Sequence, residues 1–147
     1  MQTLKTKTLA WHHFLKPSST DLTWLRSRLH FHPLVIEELA KPTMRPRMDR
    51  YDSYLYLVLH FPIFNARERK TYPCEVDFIL TKKELITVTY EPIPPLDDFL
   101  KKCLAEAPAA EAYGAKTPVH LFFYIVKELY AFALRELDHI QENINRM

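Results

Sequence analysis

Glycine is almost absent from this chain of 147 residues, which contains Gly114 and no other. Loops that cradle phosphate groups need several glycines, because a residue without a Cβ lets the backbone approach the ligand closely. Neither a P-loop nor a dinucleotide-binding fingerprint can be written in this sequence. The shortage of glycine therefore argues against nucleotide chemistry of these two kinds.

Cysteine is also scarce, since only Cys74 and Cys103 are present and they form no CxxC pair. Neither a disulfide framework nor a four-cysteine zinc module is supported. No serine stands in a GxSxG motif, and Cys74 lies in a strand pattern typical of a core position. The sequence thus offers no catalytic residue, and we expect a protein that is not an enzyme.

Long hydrophobic runs are missing as well. The longest apolar stretches, 55–64 and 119–126, are short or interrupted, whereas a membrane-spanning helix needs about 20 apolar residues. The first residues lack the charged and apolar regions of a secretory signal. We expect a soluble chain without a transmembrane segment.

A large excess of positive charge is missing too, because the formal net charge is +2. Basic residues cluster in the predicted loop 41–50 and at Arg67, Arg69 and Lys70, but prolines and acidic residues interrupt both groups. Nucleic-acid-binding domains usually have a pI above about 9. We therefore interpret both groups as solvated loops and expect no nucleic-acid partner.

What remains is the composition of one globular domain, with 48% hydrophobic residues. Residues 3–14 weakly resemble a strand, and the serines at 18 and 19 are typical of a helix start, with leucines at helical spacing up to about His30. Pro33 is suited to the first position of a second helix that ends before Pro42. That helix should direct Leu34, Val35 and Leu39 towards a core.

The middle of the chain predicts a sheet. Residues 54–61 are apolar in both alternation phases, which is typical of a strand covered on both faces. The segments 74–80 and 85–90, joined by the polar turn 81–84, predict a hairpin. Three prolines in 92–95 end the sheet, and a helix that includes the apolar residues Leu96, Phe99, Leu100, Cys103 and Leu104 follows.

The last segment predicts one long helix from Pro118 to the end of the chain. A stripe at alternating spacings of four and three runs along all of it, formed by Val119, Phe123, Val126, Tyr130, Ala133, Leu137, Ile140 and Ile144. Before Leu134 further apolar residues should widen this face for burial in the domain: Phe122, Ile125, Leu129 and Phe132. Beyond Leu134 only the narrow stripe remains, which is typical of a helix that packs on another helix. We expect Leu137, Ile140 and Ile144 to form an oligomer or stalk seam.

Four candidate metal ligands lie within nine positions: His30, His32, Glu37 and Glu38. One interpretation is a weak, carboxylate-led site for a hard cation such as Mg²⁺. The alternative is structural: His32 would start the helix, and the two glutamates would favour the positive end of its dipole. The residues alone leave both interpretations open.

The run His32-Pro33-Leu34-Val35-Ile36-Glu37-Glu38, followed by Arg45-Pro46-Arg47 and by the strand after Tyr51, resembles the HPLxxED…RPK…Y motif of CorA-type divalent-cation transporters. The segment FILTKKELITV is similar to the second hairpin of that family, and the closing helix to the start of its stalk. Trp11 stands where the family often has an early tryptophan.

The resemblance implies the amino-terminal cytoplasmic domain of such a transporter: a three-layer α/β/α sandwich with a mixed, largely antiparallel sheet and a long C-terminal helix leading into a stalk. Residues 1–117 would form the domain, and 118–147 would complete it and begin the stalk. The full-length protein would be a homo-oligomer, a pentamer, at the inner membrane. Its own stalk and membrane helices, absent from this chain, would carry the transport step.

The resemblance also implies a role for the acidic pair. Glu37 and Glu38 match positions that face stalk carboxylates of a neighbouring subunit, where a bound regulatory cation holds the channel closed. That cation would be Mg²⁺, with Co²⁺ or Zn²⁺ as alternatives. A rival hypothesis is a free-standing soluble interaction module that pairs through its C-terminal helix.

Overall fold

The computed structural model describes residues 1–65, 67–106 and 117–146. The expected loop around Gly114 lies outside these residues. The described elements are β1 (Gln2–Lys5), β2 (Ala10–Leu15), α1 (Ser19–Leu29), α2 (Pro33–Leu39), β3 (Arg47–Arg50), β4 (Leu55–Asn65), β5 (Lys70–Leu80), β6 (Glu84–Thr89), α3 (Pro94–Ala105) and α4 (Pro118–Asn145).

The six strands form one sheet in the order β1-β2-β6-β5-β4-β3. Strands β2 and β6 are parallel, and the other neighbours are antiparallel. One apolar cluster joins the sheet to α1 and α2, and a second joins its opposite face to α3 and α4. The three-layer α/β/α sandwich with a mixed, largely antiparallel sheet is thereby confirmed.

Strand β4 shows why the sheet is covered on both faces. Tyr56 and Val58 are buried in the cluster beneath α1 and α2, whereas Leu55, Leu57 and Leu59 pack against the cluster beneath α3 and α4. Side chains alternate between the faces of a strand, so apolar residues in both phases supply both cores. The expectation of a doubly covered strand is confirmed.

The β5–β6 hairpin also forms as predicted, without glycine. The Thr81 amide donates to the Glu84 carbonyl at 2.9 Å, and the Thr81 hydroxyl accepts from the Glu84 amide at 2.9 Å. Threonine thus closes the turn through its side chain, as Ser and Thr do in many turns. The hairpin places the buried carboxylates of β5 beside β6.

Two predictions about strands were incomplete. Residues 3–14 form a two-stranded hairpin rather than one strand, because the Thr6 hydroxyl accepts from the Leu9 amide at 3.2 Å and reverses the chain. Strand β3 lies within the segment 41–50 that we expected to be a loop. It is an edge strand of mostly polar residues, so it carries no apolar alternation that sequence reasoning could detect.

Helices α1 and α3 follow the sequence closely. Ser18 caps α1 by accepting from the Asp21 amide at 3.1 Å, and the Asp21 carboxylate accepts from the Ser18 amide at 2.9 Å. This reciprocal pair is a capping box. Helix α3 contains all five apolar residues that predicted it, and all of them are buried except Leu104, which is 43% exposed.

Candidate functional site

Helix α2 presents the acidic pair at the surface. Val35, Ile36 and Leu39 are buried and hold the helix on the sheet, so Glu37 is exposed and Glu38 is partly exposed. The expectation that Leu34 would face the core was wrong, since its side chain is 57% exposed. The three buried residues already fill the side of this seven-residue helix that faces the sheet.

His32 fixes the start of α2. Its Nδ1 accepts from the Leu34 amide at 3.2 Å, and Pro33 occupies the first turn. The interpretation of His32 as a helix-starting residue is confirmed. Within the described ranges, His30, His32 and the two glutamates form no cluster of three potential metal ligands.

The glutamates lie in the last turn of α2 rather than at its start. The expectation that they meet the positive end of the helix dipole was therefore wrong. Backbone carbonyls near a helix C-terminus carry partial negative charge, which disfavours carboxylates and favours cations. The pair thus needs positive charge from elsewhere.

Arg47 supplies positive charge to one of the two. Its Nη2 forms an ion pair with Glu38 Oε2, which joins the end of α2 to strand β3. The Arg47 Nε donates to Asp49 Oδ2 at 3.0 Å, and its guanidinium lies 5.3 Å from the centroid of the Tyr56 ring. One arginine is therefore shared between two carboxylates and an aromatic face.

A buried polar network lies below this ion pair. The hydroxyl of Tyr56 donates to Asp77 Oδ2 at 2.8 Å, and that of Tyr90 lies 3.1 Å from the same oxygen and 3.2 Å from the Leu39 carbonyl. Burial raises the pKa of Asp77 to about 7, an effect that the Tyr56 hydrogen bond partly opposes. The network connects the end of α2 to the centre of the sheet.

A second buried carboxylate holds the segment between α2 and β3. Glu75 accepts from the amides of Thr43 and Met44 at 3.1 and 3.0 Å and from the Thr43 hydroxyl at 2.9 Å. Met44 takes a left-handed conformation, with φ of 57°, which turns the chain towards β3. Glu75 thereby helps to fix the position from which Arg47 reaches Glu38.

The donor set of Glu37 and Glu38 fits part of a site for a hard cation. Mg²⁺ is commonly bound through one or two carboxylates while it keeps several waters. The pair offers oxygen ligands at the surface, and residues 1–65, 67–106 and 117–146 bring no third potential ligand to it. Glu38 forms an ion pair with Arg47, whereas Glu37 makes no ion pair among the described residues.

Helix α4 carries two separate apolar rows. Its buried row, spaced by four, consists of Leu121, Ile125, Leu129 and Ala133. The stripe at alternating spacing instead faces largely away from the domain, and five of its members are more than half exposed: Val119, Phe123, Tyr130, Leu137 and Ile144. Our expectation of a widened, buried face before Leu134 was correct for Ile125 and Leu129 and for Ala133, which belongs to both rows, but wrong for the exposed Val119, Phe123 and Tyr130.

The predicted seam residues lie on this exposed stripe. Leu137 is 55% and Ile144 is 59% exposed, and Ile140 is partly exposed. They are spaced by three and four, so they share one face of α4. An exposed apolar face with this spacing is typical of a helix that packs on another helix.

The cysteine of strand β5 lies inside the domain. Cys74 is 4% exposed within the core beneath α3 and α4, and burial raises the pKa of its thiol to about 12. A thiolate is the nucleophilic form, so this cysteine is inert at neutral pH. Its interpretation as a core residue is confirmed.

Sequence reasoning missed Arg47 and Asp77 as parts of this region. Arg47 was assigned to a solvated loop, and Asp77 to a hairpin strand without a special role. The available signal was a charged residue at a buried position of β5, flanked by apolar neighbours on both sides. Such a residue requires partners, and here Tyr56 and Tyr90 provide them.

In the part of the chain that the structure describes, no helix has the length and hydropathy of a membrane span. The fold resembles that of the complete CorA magnesium transporter from Methanocaldococcus jannaschii, with a TM-score of 0.76 and 14% identity; the match covers 99% of this chain and 45% of that one. It also resembles the ZntB cytoplasmic domain from Vibrio parahaemolyticus, with a TM-score of 0.73 and 19% identity, over 96% of this chain and 55% of that one. The full-length CmaX protein is also similar, with a TM-score of 0.76 and 17% identity, over 96% of this chain and 42% of that one.

In sequence, the chain is 27% identical over 138 residues to YfjQ of Bacillus subtilis, a protein provisionally named a metal ion transporter. The match covers 93% of this chain and 40% of YfjQ, so the chain spans less than half the length of that relative. Residues 6–147 match the family described as CorA-like Mg²⁺ transporter protein. The chain therefore belongs to the CorA-like Mg²⁺ transporter family.

Proposed function

We propose that this chain is the amino-terminal, cytoplasmic regulatory domain of a divalent metal-ion transporter at the inner membrane, and that it senses the cation through Glu37 and Glu38. Residues 1–117 form the α/β domain, and 118–147 complete it and lead into the stalk. The membrane part, outside this chain, carries the transport step.

The observation that carries the proposal is the position of the acidic pair. Two adjacent carboxylates lie at the surface, at the C-terminal end of a helix that a buried network attaches to the sheet. Negative charge held at the surface is suited to a cation shared with facing carboxylates of a second subunit. Retained waters would keep such a site weak and reversible, as sensing at cellular Mg²⁺ concentrations requires.

Cation binding regulates by differential affinity. A ligand shifts a conformational equilibrium only as far as it binds one state more tightly than the other. When the cation is bound, carboxylates on facing subunits are neutralised and the closed packing is stable. When it leaves, the carboxylates repel each other and the subunits separate.

The stripe on α4 supports assembly through a stalk. Leu137, Ile140 and Ile144 continue this exposed apolar face to the end of the described helix. We propose that they pack on further helices of the full-length protein, which assembles as a homo-pentamer.

The two carboxylates are suited to Mg²⁺, which takes oxygen ligands. Co²⁺ and Zn²⁺ are alternatives, although they generally prefer nitrogen or sulfur ligands more strongly.

Mg²⁺ inhibition of cation flux by the full-length protein in liposomes tests the proposal. The variant Glu38→Ala should need about 10-fold more Mg²⁺ for half-inhibition, since a lost charged ligand commonly weakens binding by about 1.4 kcal/mol or more. Asp98→Ala is the matched control, because Asp98 is exposed on α3, across the sheet from α2. An unchanged half-inhibition concentration in Glu38→Ala would refute the sensing role.

The exposed stripe also favours a second candidate, a free-standing interaction module that pairs through α4. The two candidates differ in the gene sequence expected after the codon for Met147. A reading frame that continues into a heptad stalk and two apolar segments supports the transporter domain. A stop codon directly after Met147 would favour the module.

A further inference from the structure

Arg47 forms an ion pair with Glu38, one of the two carboxylates that the proposed sensing site needs. We propose that Arg47 acts as a built-in competitor, an intramolecular cation that holds Glu38 while the site is empty and thereby weakens the site's affinity for divalent cations. This inference rests on the proposed function, because it concerns the affinity of the same site.

Arg47 is held in place independently of Glu38. Its Nε bonds to Asp49 at 3.0 Å, its Nη1 lies 3.5 Å from the Arg45 carbonyl, and its guanidinium covers the ring of Tyr56. The Arg47 side chain is 18% exposed. These contacts remain when Glu38 leaves, so the guanidinium stays close to the carboxylate it has released.

Glu38 is the more exposed partner. Its side chain is 36% exposed and has no other ion pair among the described residues. Rotation of this side chain can turn the carboxylate from Arg47 towards solvent, next to Glu37. The site thus has two arrangements: Glu38 on Arg47, or Glu38 beside Glu37 and available to a cation.

Competition between the two arrangements sets the apparent affinity. When only a fraction of the molecules is competent to bind, the apparent dissociation constant rises by the inverse of that fraction. A partly exposed ion pair of this kind, worth about 0.2 to 1 kcal/mol, corresponds to a factor of about 2 to 6. Arg47 would thereby move a carboxylate site towards the weak affinity that a sensor of an abundant cation needs.

Mn²⁺ binding to the full-length protein, followed by electron paramagnetic resonance, tests this without measuring flux. The relevant sites are those lost in the double variant Glu37→Gln/Glu38→Gln. Their Mn²⁺ midpoint should fall about 2- to 6-fold in Arg47→Gln. Arg50→Gln is the matched control, because it removes one positive charge from the same strand at an exposed position.

The competition must act through Glu38, so the effect of Arg47→Gln should disappear in a Glu38→Gln background. An equal gain in Arg50→Gln, or a gain that persists without Glu38, would overturn the inference and indicate a general effect of charge. If Arg47→Gln fails to fold, Arg47→Lys should give a smaller gain, because lysine cannot fork between Asp49 and Glu38. No gain in this folded variant would also overturn the inference.

The two levels of the proposal fail differently. If Glu37→Gln and Glu38→Gln remove no Mn²⁺ site, the proposed function is wrong and the competition has no site to act on. If they remove a site while Arg47→Gln leaves its midpoint unchanged, sensing stands and the competitor role is refuted.

Discussion

Acidic residues are buried where the sheet meets α2, an uncommon location for charge. Glu75 is 5% exposed and Asp77 is not exposed at all. Burial of an unpaired carboxylate is strongly unfavourable, so each must have partners or take up a proton. Glu75 has three donors from the segment before β3, whereas Asp77 has two tyrosine hydroxyls and a raised pKa. Polar contacts therefore add to the apolar packing of Leu39 in holding the end of α2 and the segment that follows it.

Asp77 makes stability depend on pH in one direction. Its pKa is about 7 in the folded protein against 3.8 as the ordinary value, so the folded state binds more protons between these values. The free energy of unfolding should then fall as pH rises through this window. Between pH 5 and pH 8 the free energy of unfolding should fall by about 2 kcal/mol more in the native protein than in Asp77→Asn. Urea unfolding of both proteins at each pH measures this, and identical pH dependence would contradict it.

His13 acts in the opposite direction. Burial, together with the nearby N-terminal ammonium group, lowers its pKa from 6.5 to about 4. Its Nδ1 lies 2.8 Å from the Thr87 hydroxyl, which also accepts from the indole of Trp11. The unfolded state binds more protons between pH 4 and 6.5, so the His13 contribution to stability is lost as pH falls through that range.

The variant His13→Gln should therefore lose less stability than the native protein when pH falls from 7 to 4.5, by about 2 kcal/mol. Between pH 4 and 6.5 the slopes from His13 and Asp77 oppose each other. The native protein should depend on pH less than either single variant does, as the same urea titrations would show. A steeper native curve than both variants would count against these assignments.

At the scale of elements, the sequence predicted most of the architecture because burial leaves periodic patterns. The apolar residues of β4 in both phases, the polar turn Thr81–Glu84 and the serines before α1 each reflect local chemistry that the fold preserves. Strand β3 was missed because a polar edge strand has no such pattern. The last turn of α2 was misjudged because the end of a short helix depends on tertiary contacts such as that between Tyr90 and Leu39.

Helix α4 also shows a limit of prediction from sequence patterns. Its sequence contains two apolar rows, and a pattern alone does not say which row the sheet covers. The row spaced by four faces the sheet, and most of the stripe of alternating spacing remains exposed. Alternating spacings of three and four residues keep a stripe facing a neighbouring helix over several turns. Helix α4 thus separates residues that stabilise the domain from residues that lie at its surface.

This separation predicts different effects of two leucine substitutions in α4. Leu129→Ala should lower the free energy of unfolding by about 2–4 kcal/mol, because Leu129 is fully buried and leaves a cavity. Leu137→Ala, at a site that is 55% exposed, should change it by less than about 0.5 kcal/mol. Chemical denaturation of the 147-residue chain compares them, and similar losses would mean that the stripe is packed within the domain.

At the scale of the whole molecule, the chain accounts for about 40% of YfjQ and for about half of the solved structures it resembles. The α/β domain and α4 are therefore one part of the proposed transporter. Within that part, the acidic pair, its arginine neighbour and the exposed stripe are the features directed outward. In the proposed transporter, cation binding between subunits connects all three.

Protection of the full-length protein from limited proteolysis, measured against Mg²⁺ concentration, tests this central claim most directly. A cation that bridges subunits through Glu37 and Glu38 should slow cleavage, and the Mg²⁺ midpoint should rise at least about 10-fold in Glu37→Gln/Glu38→Gln. Asp98→Asn should leave the midpoint unchanged. A midpoint that is the same in the double variant as in the native protein would contradict the account.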